Sequence, residues 1–247
     1  GEPRVLLPSR GQRAVPVTHL PPGGPGGAAG TSWYELFAVT KGETAMNTLF
    51  YAPGACSLGI HVLLEEIGEP FRVERVNLKL PPAERGELAR LNPKSKVPTL
   101  VRDDGSVLTE YPAISYWLAA TNPKADLLPP GPDSMAHALE VVDYCVSTIH
   151  MQGFSRMFGP ARFGANTEEV AARGRELVTK GFAELNNVLD GLDYALGKYT
   201  FADAAVFYVS SWAAKFKIDL PAHLAAHFAR MQARPAVQQA LKTEGLL

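Results

Sequence analysis

The segment "NPKADLLPPGPD", residues 122–133, divides the sequence into two parts with different periodicities. Upstream of it, short runs of strand-forming residues alternate with helical patterns. Downstream, strand signals vanish and apolar residues recur at helical spacing to the end of the chain, so any sheet has to be built from the first part alone. With 247 residues, 46% of them hydrophobic, the chain is long enough to bury a real core.

Asn47 to Tyr51 suits a strand, and the turn "APGA" separates it from a helix with Ile60, Leu63, Leu64 and Ile67 on one face and Gly68 as its stop. "PFRVERV" reads as a second strand and "PPAERGELARL" as a short helix. "VPTLVRDDGSVLT" reads as two strands joined by the Asp104-Gly105 hairpin signal. "YPAISYWLAAT" closes the unit as a helix with Pro112 in its first turn. The expected order over residues 46–121 is β-α-β-α-β-β-α, followed by the linker 122–133 and an all-α unit over 134–247. In that unit Val170, Leu177, Val178, Phe182, Leu185, Val188, Leu189 and Leu192 are spaced as core residues of one or two helical faces.

Residues 1–45 differ from the rest: eight Gly and six Pro mark low-complexity sequence, expected to be disordered or a non-native extension. The segment has no continuous apolar run of a secretory signal, and so much Pro and Gly excludes an amphipathic transit helix. Met46 reads as the true start, with the upstream part an extension or a translated leader.

A formal net charge of −1 gives no reason to expect a nucleic-acid partner. Apolar runs fall far short of the roughly 20 residues that span a bilayer, so no membrane partner is expected. Cys56 and Cys145 form no spaced array, which argues against a disulfide framework and a zinc site and fits a reducing cytoplasm. At a strand-helix junction the Cys56 thiol has four readings: nucleophile, redox centre, ligand holder or packing. A dithiol centre is excluded because position 59, where a second cysteine would stand, is Gly59.

Taken in order, "YAPGACSLGIH", "NPKSKVPTL", "LTEYPAI" and "TFADAAVF" resemble the motifs of cytosolic glutathione S-transferases, those of the bacterial beta class above all. The resemblance covers residues 46–247. It implies a thioredoxin-like α/β N-terminal domain, an all-α C-terminal domain, glutathione as co-substrate, no metal, and a cytoplasmic homodimer engaged in detoxification. By the same resemblance, Val97 and the candidate cis-proline Pro98 hold the cysteinyl part of glutathione. Glu110 holds its γ-glutamyl amine at a helix start that favours an anion. Tyr111 stands where serine or glycine is usual, offering a backbone N–H while its bulk narrows the pocket. Lys79 faces the glycine carboxylate. Asp143, Ser147, Thr148 and His150 line the site from the second domain, some across a subunit boundary.

The implied catalytic residues are Cys56, Ser57 and His150. The helix N-terminus should lower the Cys56 pKa; Ser57 reads as N-cap or as a thiolate partner; His150 would stabilise the thiolate or orient a substrate. Tyr51 reads as packing, and Phe154, Met157 and Phe163 as pocket lining or core. Thr200 and Asp203 have the spacing of a helix cap, a folding role. The expected activity is conjugation of the glutathione thiolate to small hydrophobic electrophiles, with thiol-disulfide exchange through Cys56. The alternatives are a glutathione-dependent thiol transferase, dehalogenase, ether lyase or peroxidase, and a non-catalytic transferase-like binding module. A maleylacetoacetate isomerase fits less well, because "GACSLGIH" lacks the paired serines and arginine of that branch.

Overall fold

A computed structural model describes residues 46–247, all within the unit Phe37–Leu247. The expectations for residues 1–45 lie outside the described residues. The first part forms β1 (Asn47–Tyr51), α1 (Ser57–Ile67), β2 (Phe71–Arg75), α2 (Glu87–Leu91), β3 (Thr99–Val101), β4 (Val107–Thr109) and α3 (Tyr111–Thr121). This is the β-α-β-α-β-β-α order read from the sequence. The four strands lie in the order β2-β1-β3-β4, with β1 and β2 parallel and the β1-β3 and β3-β4 pairs antiparallel. Leu49 pairs with Leu100, and Leu100 with Leu108, so one face of the sheet carries a row of leucines. Leu49 and Leu100 are fully buried with Ile60 and Leu63 of α1 and Ile114 and Leu118 of α3.

Two details depart from the sequence reading. "PPAERGELARL" forms a 3-10 turn, Pro82–Glu84, and then α2, because Gly86 between them has a φ of +60° that no helix accepts. In addition α1 is buried on both sides. Leu58 and Val62, opposite the expected apolar face, pack on Phe207, Met231, Val237 and Leu241.

The second part is helical: α4 (Gly131–Asp143), a π-helical stretch (Tyr144–Phe154), α5 (Ser155–Phe158), α6 (Thr167–Val188), α7 (Phe201–Ser211), α8 (Ala222–Gln232) and α9 (Pro235–Glu244). The start of α4 falls inside the Pro-rich linker. Along α6, Val178, Phe182 and Leu185 are core as expected, whereas Val188 and Leu192 are exposed. Leu189, just past the end of the helix at Val188, is still buried in the core as expected.

Helix α7 lies at the centre, with Phe201 to Ser210 all buried. Its start is a reciprocal cap: Thr200 Oγ1 accepts the Ala202 N–H at 3.3 Å and Asp203 accepts the Thr200 N–H at 2.8 Å. Thioredoxin-like sheet domain and helical C-terminal domain thus meet along α1 and α7.

Candidate functional site

The turn between β1 and α1 is held from the helical half. Gly54, left-handed at a φ of +66°, donates its N–H to Glu244 Oε2 at 2.8 Å and accepts Trp212 Nε1–H at 2.7 Å. A residue with a Cβ would be strained in that conformation. Cys56 is the N-cap of α1, and its thiol donates to the Val97 carbonyl at 3.3 Å. The Val97-Pro98 bond is cis, as the sequence suggested. The thiol and the backbone preceding Pro98 are therefore in direct contact.

The expected lowering of the Cys56 pKa does not occur. Its side chain keeps some exposure, but the packed surroundings penalise a charge, and burial pushes the thiol up to about 12. The backbone N–H groups of Cys56 and Ser57 and the charge of Lys96 pull the other way and lose, while Glu110 adds to the rise. Cys56 is thus a neutral S–H donor at neutral pH. Its alkylation by iodoacetamide should keep accelerating beyond about pH 9, where an ordinary thiol is already largely ionised. Peptide mapping across a pH series measures this, and a plateau near neutral pH would contradict it.

Ser57 is not the N-cap, a position that Cys56 holds. It is fully buried, and its hydroxyl accepts the Ala52 N–H at 3.3 Å and lies 3.4 Å from the Ala52 carbonyl, closing the turn on itself. Tyr51 is packing, tilted against His61 at 5.7 Å. Tyr111 does not narrow a pocket with its ring, which is buried in the core against Tyr208 at a centroid distance of 5.0 Å. The ring needs Gly59 opposite it: a Cβ there would stand 2.3 Å from Tyr111 Oη and 2.8 Å from the Ala204 carbonyl. The absence of a second cysteine at position 59 thus has a packing cause.

Glu110 precedes α3 with a φ of +73°, a strained conformation for a residue other than glycine. Its exposed carboxylate pairs with Lys94 Nζ, which also donates to Thr109 Oγ1 at 2.6 Å. Lys79 is exposed in the loop after β2, where its N–H donates to Asn77, and none of the described contacts joins it to the other candidates.

His150 comes from the π-helical stretch and packs edge-on against Trp212 at 4.8 Å and Tyr208 at 5.9 Å. Burial, and secondarily Lys96, push its imidazole down to about 4, so it is neutral at neutral pH and cannot offset a thiolate as a cation. Asp143 is exposed and accepts from Ser147 Oγ at 3.5 Å, while Ser147 and Thr148 are half-buried. Phe154 is core, fully buried among Phe182, Trp212 and Phe216; Met157 packs beside it. Phe163 is exposed beneath the Arg156 and Arg162 guanidinium groups.

Four residues at the site escaped the sequence reading. Trp212 joins His150 to the Gly54 turn, Tyr208 touches His150, Lys96 reaches both Cys56 and His150 electrostatically, and Glu244 anchors the turn from the last helix. The tryptophan in "SSWAAKF" and the lysine beside Val97 were visible signals. The role of Glu244, 190 residues from Gly54, had none.

Models of the N-terminal and C-terminal domains of glutathione S-transferases match residues 54–121 and 145–235. Glutathione S-transferase GstA of Escherichia coli O157:H7 is 38% identical over 203 residues, 80% of this chain and 98% of that protein. The structure of a sphingomonad glutathione S-transferase complexed with glutathione is 34% identical, with a TM-score of 0.72 over 81% of this chain and 100% of that one. The bacterial beta class enzyme of Sphingomonas chungbukensis is 31% identical, with a TM-score of 0.71 over 81% of this chain and 100% of that one. In sequence, fold and domain order alike, the chain belongs to the glutathione S-transferase family.

Proposed function

We propose that the chain conjugates the thiolate of glutathione to small hydrophobic electrophiles at the site formed by the backbone before Pro98, the start of α3 and the π-helical stretch. Glutathione lies with its cysteinyl part along Val97 and its γ-glutamyl amine toward Glu110. Asp143, Ser147 and Thr148 approach it from the helical half, in part across the subunit boundary of a homodimer. The observation that carries this reading is the contact of Cys56 Sγ with the Val97 carbonyl at 3.3 Å, which sets beside the place of the reacting sulfur a thiol whose one proton would turn from that carbonyl to the incoming thiolate. Lys96 adds positive charge there, and proximity of the two reactants supplies much of the rate. Among the described residues no group of His, Cys, Asp and Glu could hold a metal ion, and no helix is long and apolar enough to cross a membrane. The protein acts in the cytoplasm.

The same contact supports a second reading, thiol-disulfide exchange. Cys56 would attack the glutathionyl sulfur of a mixed disulfide, releasing the other thiol, and a second glutathione would then free Cys56 as oxidised glutathione leaves. The raised Cys56 pKa leaves little thiolate for this attack at neutral pH.

Retention on immobilised glutathione and turnover of a panel of aryl halides test the main reading; failure in both would favour a non-catalytic module. Cys56→Ala separates the two chemistries. Conjugation should persist within about tenfold, the scale of one lost hydrogen bond, while disulfide exchange disappears.

A further inference from the structure

Tyr208 is fully buried on α7, and among the described residues its hydroxyl has one partner, His150 Nδ1, at 3.5 Å. Burial, with Cys56, Cys145 and Tyr111 around it, holds the phenol well above its ordinary pKa, so it keeps its proton, and among the described residues Nδ1 is the one acceptor within reach of that buried O–H. A neutral imidazole carries one N–H, and the nitrogen that accepts a hydrogen bond is the one without it. We propose that Tyr208 selects the tautomer of His150: its hydroxyl donates to Nδ1, the ring proton is confined to Nε2, and the imidazole is thereby set as a neutral N–H donor toward the reacting sulfur. This rests on the reading of His150 as a site residue and makes Tyr208 a positioning residue.

The surroundings agree with that role. Trp212 and Tyr208, themselves in contact at 5.2 Å, both pack edge-on against the ring, at 75° and 79°. The charged or titratable groups that reach the ring are Lys96, from the loop before Pro98, and Tyr208, from α7; Cys56 in turn reaches Tyr208. Burial above all, and the charge of Lys96 after it, disfavour the imidazolium, so the donor stays neutral at working pH. A neutral donor still stabilises a thiolate, because a hydrogen bond to an ion is stronger than one between neutral groups. Removing the phenol would leave Nδ1 with no donor and free the proton to sit on either nitrogen.

Nitrogen-15 NMR of histidine-labelled protein reads the tautomer directly, with His150→Ala to assign the signal. His150 should appear with Nε2 protonated in the unaltered protein and as a mixture of tautomers in Tyr208→Phe. That substitution keeps the ring and its packing, so the melting temperature should barely move. The conjugation kcat should fall roughly three- to tenfold, the scale of one weakened hydrogen bond, with the KM for glutathione unchanged. Tyr208→Phe should also add nothing in a His150→Ala background. An Nδ1-protonated ring, or a tautomer indifferent to Tyr208→Phe, would overturn the proposal. Full conjugation activity in His150→Ala would instead overturn the reading of His150 as a site residue.

Discussion

Asp203→Ala is expected to lower folding stability by about 3 to 5 kcal/mol, the range for removing one partner from a buried polar cluster. The carboxylate is fully buried and serves three partners from separate segments. Oδ1 accepts the Ala195 N–H at 2.8 Å and lies 3.0 Å from His227 Nε2; Oδ2 accepts the Thr200 N–H at 2.8 Å. Alanine would leave two backbone donors and a fully buried imidazole without partners, and no water could reach them without opening the core. Among the described residues His227 Nδ1 has no partner either, so the imidazole would be left with none. Asp203→Asn should cost less, since one amide oxygen still accepts on one side. Urea unfolding of the three proteins measures the series, and a loss below about 1 kcal/mol in Asp203→Ala would mean the cluster rearranges.

Glu110→Gln is expected to raise the KM for glutathione by roughly ten- to a hundredfold with a much smaller change in kcat, because a hydrogen bond between charged groups is worth about 1.5 to 3 kcal/mol. Uniform loss of binding in ground and transition states moves KM alone. The backbone strain at Glu110 locates the carboxylate at the start of α3, and a costly φ of +73° persists there where a glycine would be free of it. The Lys94 pair is solvent-exposed, so its loss should hardly affect the melting temperature. That separates binding from folding. An unchanged KM would mean that Glu110 serves Lys94 alone.

These two residues differ in how much the sequence disclosed. The Thr-x-x-Asp spacing announced the cap at Thr200 because its partners lie within one helical turn. The bonds from Asp203 to Ala195 and His227 had no such signal, since no local rule joins them. Glu110 was legible as a helix-start acid, but its pairing with Lys94 requires β3 and β4 to bring 16 residues of separation together. Ser57 was misread for a similar reason. Its type suits an N-cap, but Cys56 holds that position and the Ser57 hydroxyl turns back to Ala52.

By itself the sequence determined the element order over residues 46–121, the hairpin at Asp104-Gly105, the stop at Gly68 and the motifs that carry the family resemblance. Each depends on backbone preference or on side-chain spacing within a few residues. Only the tertiary structure decided that α1 is buried on both faces, that Tyr111 fills the space left by Gly59, and that Cys56 is a poor acid while His150 is a poor base. Those properties depend on which distant groups exclude water from a site, and desolvation is a function of the assembled neighbourhood rather than of neighbours in the chain.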